Sequence, residues 1–184
     1  MRRSSEQTKA VILAAARERF AESGFEGATI RGIAADANID PSMVMRYFGN
    51  KNQLFAAAAE FDLKFPDFSD VDIDQLGSRM VAHFLERWEG DEALIVLLRS
   101  STTNAEAAQR MREIFVAQLL PAIAAVTPAD ARRRAGLVGT QILGLALCRY
   151  VLKLSPVVAM SREDVVAALG PTIQRYLTDA EITA

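Results

Sequence analysis

The chain has 184 residues, 51% of them hydrophobic and 24% charged, with a formal net charge of −2. That balance belongs to a folded globular protein, and the slight acidity excludes a general polyanion binder. Cys148 is the only cysteine and His83 the only histidine, which rules out an intramolecular disulfide and a multi-Cys/His zinc site; no metal or cofactor is expected.

The chain opens with Arg2, Arg3, Ser4 and Ser5, which read as a solvated terminus or as a short basic arm that reaches a minor groove or a phosphate. The apolar run that follows has the look of a secretory signal. Glu6 and Lys9 precede it, however, and Arg17, Glu18 and Arg19 interrupt it, so it reads as a first helix with Ile12, Ala16 and Phe20 on one face. Thr29 is an N-cap, and Ile30, Ile33, Ala34 and Ala37 follow at i, i+3, i+4, i+7, which predicts a second helix over about 30–37. Asn38 tolerates the left-handed turn, Ile39 is an apolar plug, and Asp40-Pro41 places an N-cap and an N1 proline at the start of a third helix. Val44 and Phe48 fall on one side of that helix and Ser42, Met43, Met45 and Arg46 on the other, with Tyr47 on the flank. One arginine, a hydroxyl and two methionines suit the mixed polar and methyl surface of a major groove. Gly49-Asn50-Lys51 ends this helix and starts the next, placing the Lys51 ammonium where a phosphate could dock.

Thr29, Ile33, Ala34, Ala37, Tyr47, Phe48, Lys51 and Leu54, with Asn38, Ile39, Asp40 and Asn50 as mild variants, stand in the order and spacing of a known pattern. In this stretch the sequence resembles the tetracycline-repressor-type (TetR) transcriptional regulators. The resemblance covers about 50 residues. It implies a helix-turn-helix head on a helical body, operator DNA, a homodimer and a small-molecule effector. The family's tyrosine before the aromatic pair, which looks like a phosphate contact, is Met45 here. The candidate DNA contacts are Thr29, Arg31, Ser42, Met43, Met45, Arg46, Tyr47 and Lys51. Residues 1–51 carry eight Lys/Arg against six Asp/Glu, while the remainder carries thirteen against seventeen, an asymmetry of the right sign. So weak a basic field needs two heads on one duplex, reading half-sites of a pseudo-palindrome.

After Lys51 no strand-like alternation appears, so the fold class is all-α. A fourth helix is expected over about 51–64, leading from the head into the body. Asp67, Asp70, Asp72 and Asp74 form an acidic run, but Gln75 and Val81 stand where a calcium loop needs glycine and glutamate, so it reads as a linker ending in an N-cap. Helices are expected over about 74–89, with Leu76, Met80, Phe84 and Trp88 in register, over 91–101, and over 105–126 with a kink at Pro121. Another is expected from Pro128 to about Leu154, apolar nearly all round, with Gly136, Thr140 and Gly144 as a small-residue strip. The last spans about 162–178, bent at Gly170-Pro171. Two C-terminal helices with excess apolar surface suit a homodimeric four-helix interface, the assembly that the resemblance implies, while the sequence alone equally allows these faces to be intramolecular core.

The expected domains are a helix-turn-helix DNA-binding domain over 1–50 and an effector-binding and dimerisation domain over 51–184. Polar groups set in apolar stripes, His83, Arg99, Thr103, Gln141 and Arg149, are the candidate effector contacts. The longest uncharged apolar stretch, Ala135 to Cys148, is too short for a bilayer, so a cytoplasmic, non-membrane protein is expected. No nucleophile elbow, phosphate loop or paired Glu-x-x-His site occurs, so the chain is not expected to be an enzyme. The function expected is a ligand-responsive regulator, a repressor released from its operator by an effector. The competing reading is a helical ligand-binding or adapter dimer without DNA binding.

Overall fold

The computed structural model describes residues 4–68, 71–90 and 93–180, and every regular element among them is helical. Arg2 and Arg3 of the basic arm, Asp70 of the acidic run and the expected helix start at Asp91 lie outside the described residues. Contacts divide the chain into two compact units, one holding residues 1–61 and 92–111 and the other residues 62–91 and 112–184.

The first unit is built on α1 (Ser5–Gly27), opened by a capping box in which Ser4 Oγ accepts from the Gln7 N–H while the Gln7 side chain accepts from the Ser4 N–H. Gly24 breaks α1 near its end with φ 67, a left-handed conformation that favours glycine. Thr29 caps α2 (Ile30–Asp36), and Asp40 caps α3 (Pro41–Phe48) with Pro41 at its start; between them Asn38 takes φ 52, as the turn requires. Asn50 caps α4 (Lys51–Ala58). Ile12, Ala16, Phe20, Ile33, Ala34, Val44, Leu54 and Phe55 are buried together, with Phe20 and Phe55 edge to face at 5.0 Å. The Arg19 guanidinium grips Asp36 with two bonds of 2.7 and 2.6 Å, fastening α1 to α2. A later helix, α6 (Ala93–Ser100), packs on α1 as part of this same unit.

The fourth helix stops at Ala58 rather than reaching Lys64. Arg17 Nε caps the Ala58 carbonyl at 3.0 Å, and beyond residue 60 side chains take over the backbone. Leu63 N–H donates to Gln118 Oε1, Leu63 O accepts from His83 Nε2–H at 2.8 Å, and Asp62 O accepts from Arg87. Those partners supply what helical bonds would have, and Pro66 disfavours helix at the residue before it.

In the second unit, a single 3₁₀ turn at Ile73–Gln75 leads into α5 (Leu76–Gly90), which packs along α11 (Arg162–Thr178). Met80, Val81, Leu85 and Trp88 face a core shared with Val165, Ile173 and Leu177. The span expected as one kinked helix is α7 (Ala105–Ile114), of which residues 105–111 belong to the first unit, a π-turn at 115–119 and α8 (Leu120–Val126). Leu120 N–H reaches back to Phe115 O, and this widened turn just before Pro121 absorbs the missing prolyl N–H. The next helix starts at Ala131, not Pro128, because Asp130 sits at φ 51 and breaks the run; α9 (Ala131–Ala146) then ends in a second π-turn at 147–151. A short α10 (Ser155–Val158), not expected from the sequence, precedes α11.

One side of α9 buries Ala135, Val138, Ile142 and Ala146. The opposite side leaves Thr140, Gly144 and Leu147 exposed, and a Cβ added at Gly136 or Gly144 would meet nothing within 4 Å. No single helix among the described residues is long and apolar enough to cross a membrane.

Candidate nucleic-acid interface

Val44 is fully buried and holds α3 against the first unit, which fixes the direction in which every other α3 side chain points. At 100° per residue Ser42 and Arg46 fall opposite Val44, and both are exposed. Met45 is 45% exposed on one flank, while Met43 and Tyr47 are half-buried on the other. No internal hydrogen bond or ion pair occupies the Arg46 or Arg31 guanidinium among the described residues, so both are free to take an outside acceptor. Thr29 is different: its hydroxyl oxygen is engaged in accepting the Gly32 N–H at 3.0 Å.

Ser42 is tied to the residue that starts its helix. Asp40 Oδ1 accepts both the Ser42 N–H, at 2.8 Å, and the Ser42 hydroxyl. The hydroxyl bond first, and the N–H bond after it, hold the Asp40 carboxyl below the usual aspartate range, so it is charged at neutral pH. Lys51 lies half-buried at the far end, its Nζ 3.3 Å from the Glu26 carbonyl oxygen and 4.4 Å from the centre of the Phe25 ring. A cleft of about 550 Å³ beside α3 is lined by Met43, Arg46 and Tyr47, by Ser5 and Thr8 of α1, and by Asn38 and Ile39 of the turn. Sequence reading did not connect Ser5 and Thr8 with α3. No short-range signal could, since they lie more than thirty residues away along the chain.

The candidate effector residues are divided between the two units. Arg99 and Thr103 belong to the first unit, where Arg99 Nη1 donates to the Ala21 and Glu22 carbonyls and Thr103 Oγ1 donates to Ser100 O at 3.4 Å. His83, Gln141 and Arg149 belong to the second. Gln141 Nε2 donates to Tyr176 Oη at 3.2 Å, and Arg149 Nη1 donates to the carbonyls of Val157 and Met160 at 2.7 and 3.0 Å. Only His83 of the five lines the open groove of about 380 Å³ in that unit, beside Phe68, Val71, Arg79, Glu86 and Arg162. Among the described residues no group of His, Cys, Asp and Glu could hold a metal ion.

Comparison with known proteins agrees with this geometry. Residues 12–58 match the family of bacterial regulatory proteins, tetR family, and residues 74–177 match the tetracyclin repressor-like C-terminal domain. A helix-turn-helix-type transcriptional repressor of Streptomyces coelicolor, SCO4008, is 39% identical over 102 residues, which make up 49% of this chain and 53% of that protein. The repressor Rv3405c of Mycobacterium tuberculosis is 42% identical over 55 residues, 30% of this chain and 29% of its own length. The chain thus spans about half the length, or less, of these curated relatives. Among solved structures, the TetR-family regulator SCO0857 of Streptomyces coelicolor superposes with a TM-score of 0.61 at 28% identity, covering 97% of this chain and 98% of that one. NalD, described as the secondary repressor of the MexAB-OprM multidrug efflux pump in Pseudomonas aeruginosa, shares the fold at a TM-score of 0.70 and 21% identity over 96% of this chain and 100% of its own. With the two family matches together accounting for most of its length and a recognition helix aimed outward, the chain belongs to the TetR family of helix-turn-helix transcriptional regulators.

Proposed function

We propose that this regulator is a cytoplasmic homodimeric repressor that grips a pseudo-palindromic DNA operator with two copies of α3 and lets go when a small molecule binds its C-terminal body. The observation that carries the reading is the α3 surface: Ser42 and an unengaged Arg46 stand outward from a helix locked by Val44. Arg46 would read a guanine edge, with Arg31 and Lys51 on phosphates and Thr29, Met43, Met45 and Tyr47 along the contact. Residues 1–50 form the reading domain and residues 51–184 the effector and dimer domain. The strip of Gly136, Thr140 and Gly144 on α9, with Thr140 and Gly144 exposed, supports assembly with a second copy, because short side chains along one edge of a helix allow close approach. No enzymatic role is proposed.

For release, the effector must bind the DNA-incompetent arrangement more tightly than the competent one, and that difference in affinity sets the size of the shift. Selection of bound fragments from genomic DNA by the purified protein, followed by gel shift across a salt series, tests the reading. A palindrome is expected, with affinity falling steeply with salt. Failure to enrich any palindrome at low salt would favour the adapter dimer instead.

A further inference from the structure

The end of α1 is held from two sides. On one side the Arg99 guanidinium, carried on α6, donates through Nη1 to the carbonyls of Ala21 and Glu22, the last helical turn before the break at Gly24. On the other side, past that break, Lys51 Nζ rests on the Glu26 carbonyl and over the Phe25 ring. Phe25 is itself set edge to face on Phe55, at 5.1 Å, and stacked near Phe20. Gly24 is the joint between the two halves. Its φ of 67 departs from helix, and a Cβ there would meet nothing, so the bend is fixed by its neighbours' contacts rather than by packing at Gly24 itself.

The geometry points to Arg99 as a positioning residue for DNA binding: by holding the Ala21–Glu22 turn it sets where Phe25 and Glu26 lie, and these in turn hold the Lys51 ammonium ready for a phosphate. An ammonium has three donors, and the Glu26 carbonyl uses one, leaving two for an incoming phosphate oxygen. A lysine already held in place loses less side-chain freedom on binding than one that is loose. All of these contacts lie within the first unit. Arg99, expected from the sequence to touch an effector, is engaged here with α1.

The inference rests on the DNA-binding reading for its consequence but not for its mechanism, and two measurements on the full-length protein separate the two. The first needs no DNA. Brief amine labelling with acetic anhydride, read by mass spectrometry, is expected to modify Lys51 about threefold faster in Arg99→Met than in the parent, with Lys9 unchanged as internal control. An unchanged Lys51 rate overturns the relay. The second uses the selected operator. Arg99→Met is expected to weaken binding about fivefold and to flatten the salt slope by up to about 1, and to cost nothing further in a Lys51→Met background. Additive effects of the two changes would reduce Arg99 to a purely structural contact and overturn the proposal. Absence of any selected operator, with the labelling result intact, would strike the DNA-binding reading alone. Should Arg99→Met fail to fold, Arg99→Lys carries both tests, with an intermediate change expected because a charge remains but the fork is lost.

Discussion

A Cβ placed on Gly77 would stand 2.3 Å from the carbonyl oxygen of Gly170, so α5 and α11 cross in near backbone contact at this pair of glycines. The relationship is reciprocal: a Cβ on Gly170 would come within 2.6 Å of Ser78 Oγ and 3.2 Å of its Cα. Gln174 clamps the crossing, accepting from the Gly77 N–H and donating to Ile73 O, each at 2.7 Å. Gly77→Ala must therefore push two helices apart and is expected to cost about 3 kcal/mol. Gly144→Ala, with open space at its Cβ and a better helix former in place, should be neutral or stabilising by up to about 1 kcal/mol in the isolated subunit. Urea denaturation of the two variants checks the contrast.

Arg134 is 5% exposed, and its guanidinium donates to three carbonyls: Ala129 at 3.0 Å, Tyr176 at 2.8 Å and Asp179 at 3.0 Å. It thereby ties the start of α9 to the end of α11. Arg134→Met keeps most of the volume but strands those acceptors, and a loss of about 3 kcal/mol is expected. Arg134→Lys should recover only part of it, since an ammonium lacks the planar fork. Chemical unfolding followed by far-ultraviolet circular dichroism measures both.

Stability should fall away at both ends of the pH scale. Asp36 is held below its ordinary value of 3.8 by its hydrogen bonds to Arg19, and Asp40 and Asp164 by the hydroxyls of Ser42 and Ser161. A carboxyl depressed in the folded state contributes stability above about 3.8, its unfolded value, and loses it as pH drops through the folded value. Tyr150 runs the other way. Burial first, then the Glu89 carboxylate, pushes its phenol from 10.0 up to about 12, so the stability that the neutral phenol gives is lost as pH rises from 10 towards 12. A melting temperature flat near neutrality, falling below about pH 4 and above about pH 10, is expected. Asp36→Asn should flatten the acid limb and Tyr150→Phe the alkaline one, as read by thermal melts across buffers.

Arg46 and Lys51 should fail in different ways. Arg46→Ala is expected to lose about 1–3 kcal/mol at one base position and to relax preference there, while Lys51→Ala weakens all sites alike and reduces the salt slope by about 1. Met45→Tyr, restoring the residue that the family pattern carries, should tighten binding to every sequence by a similar factor. Equal and sequence-blind losses for Arg46→Ala and Lys51→Ala in a competition gel shift would contradict these roles.

The reading head was legible because its signals are local. Thr29, Asn38 and Asp40-Pro41 each specify a cap or a turn within three residues, and the structure uses all of them. The stop of α4 at Ala58 was not legible, since Gln118, the residue that takes the Leu63 N–H, lies 55 positions away. The same holds for Arg99, whose partner Ala21 is 78 positions earlier; a cation in an apolar stripe reads equally well as a ligand contact or as a helix cap. The two π-turns shift hydrogen-bond register by one residue without a compositional mark of their own, and Pro121 signalled a disturbance without its form.

On the proposed reading, with Ser42 facing a major groove, the inward turn of its proton towards Asp40 has a chemical corollary. A hydroxyl whose hydrogen is already given away can only receive, so the partner it meets in the groove must bring a hydrogen of its own: the exocyclic amine of adenine or cytosine. Guanine O6 and thymine O4, lone pairs facing lone pairs, are disfavoured opposite it, which turns one small side chain into a filter against two of the four bases.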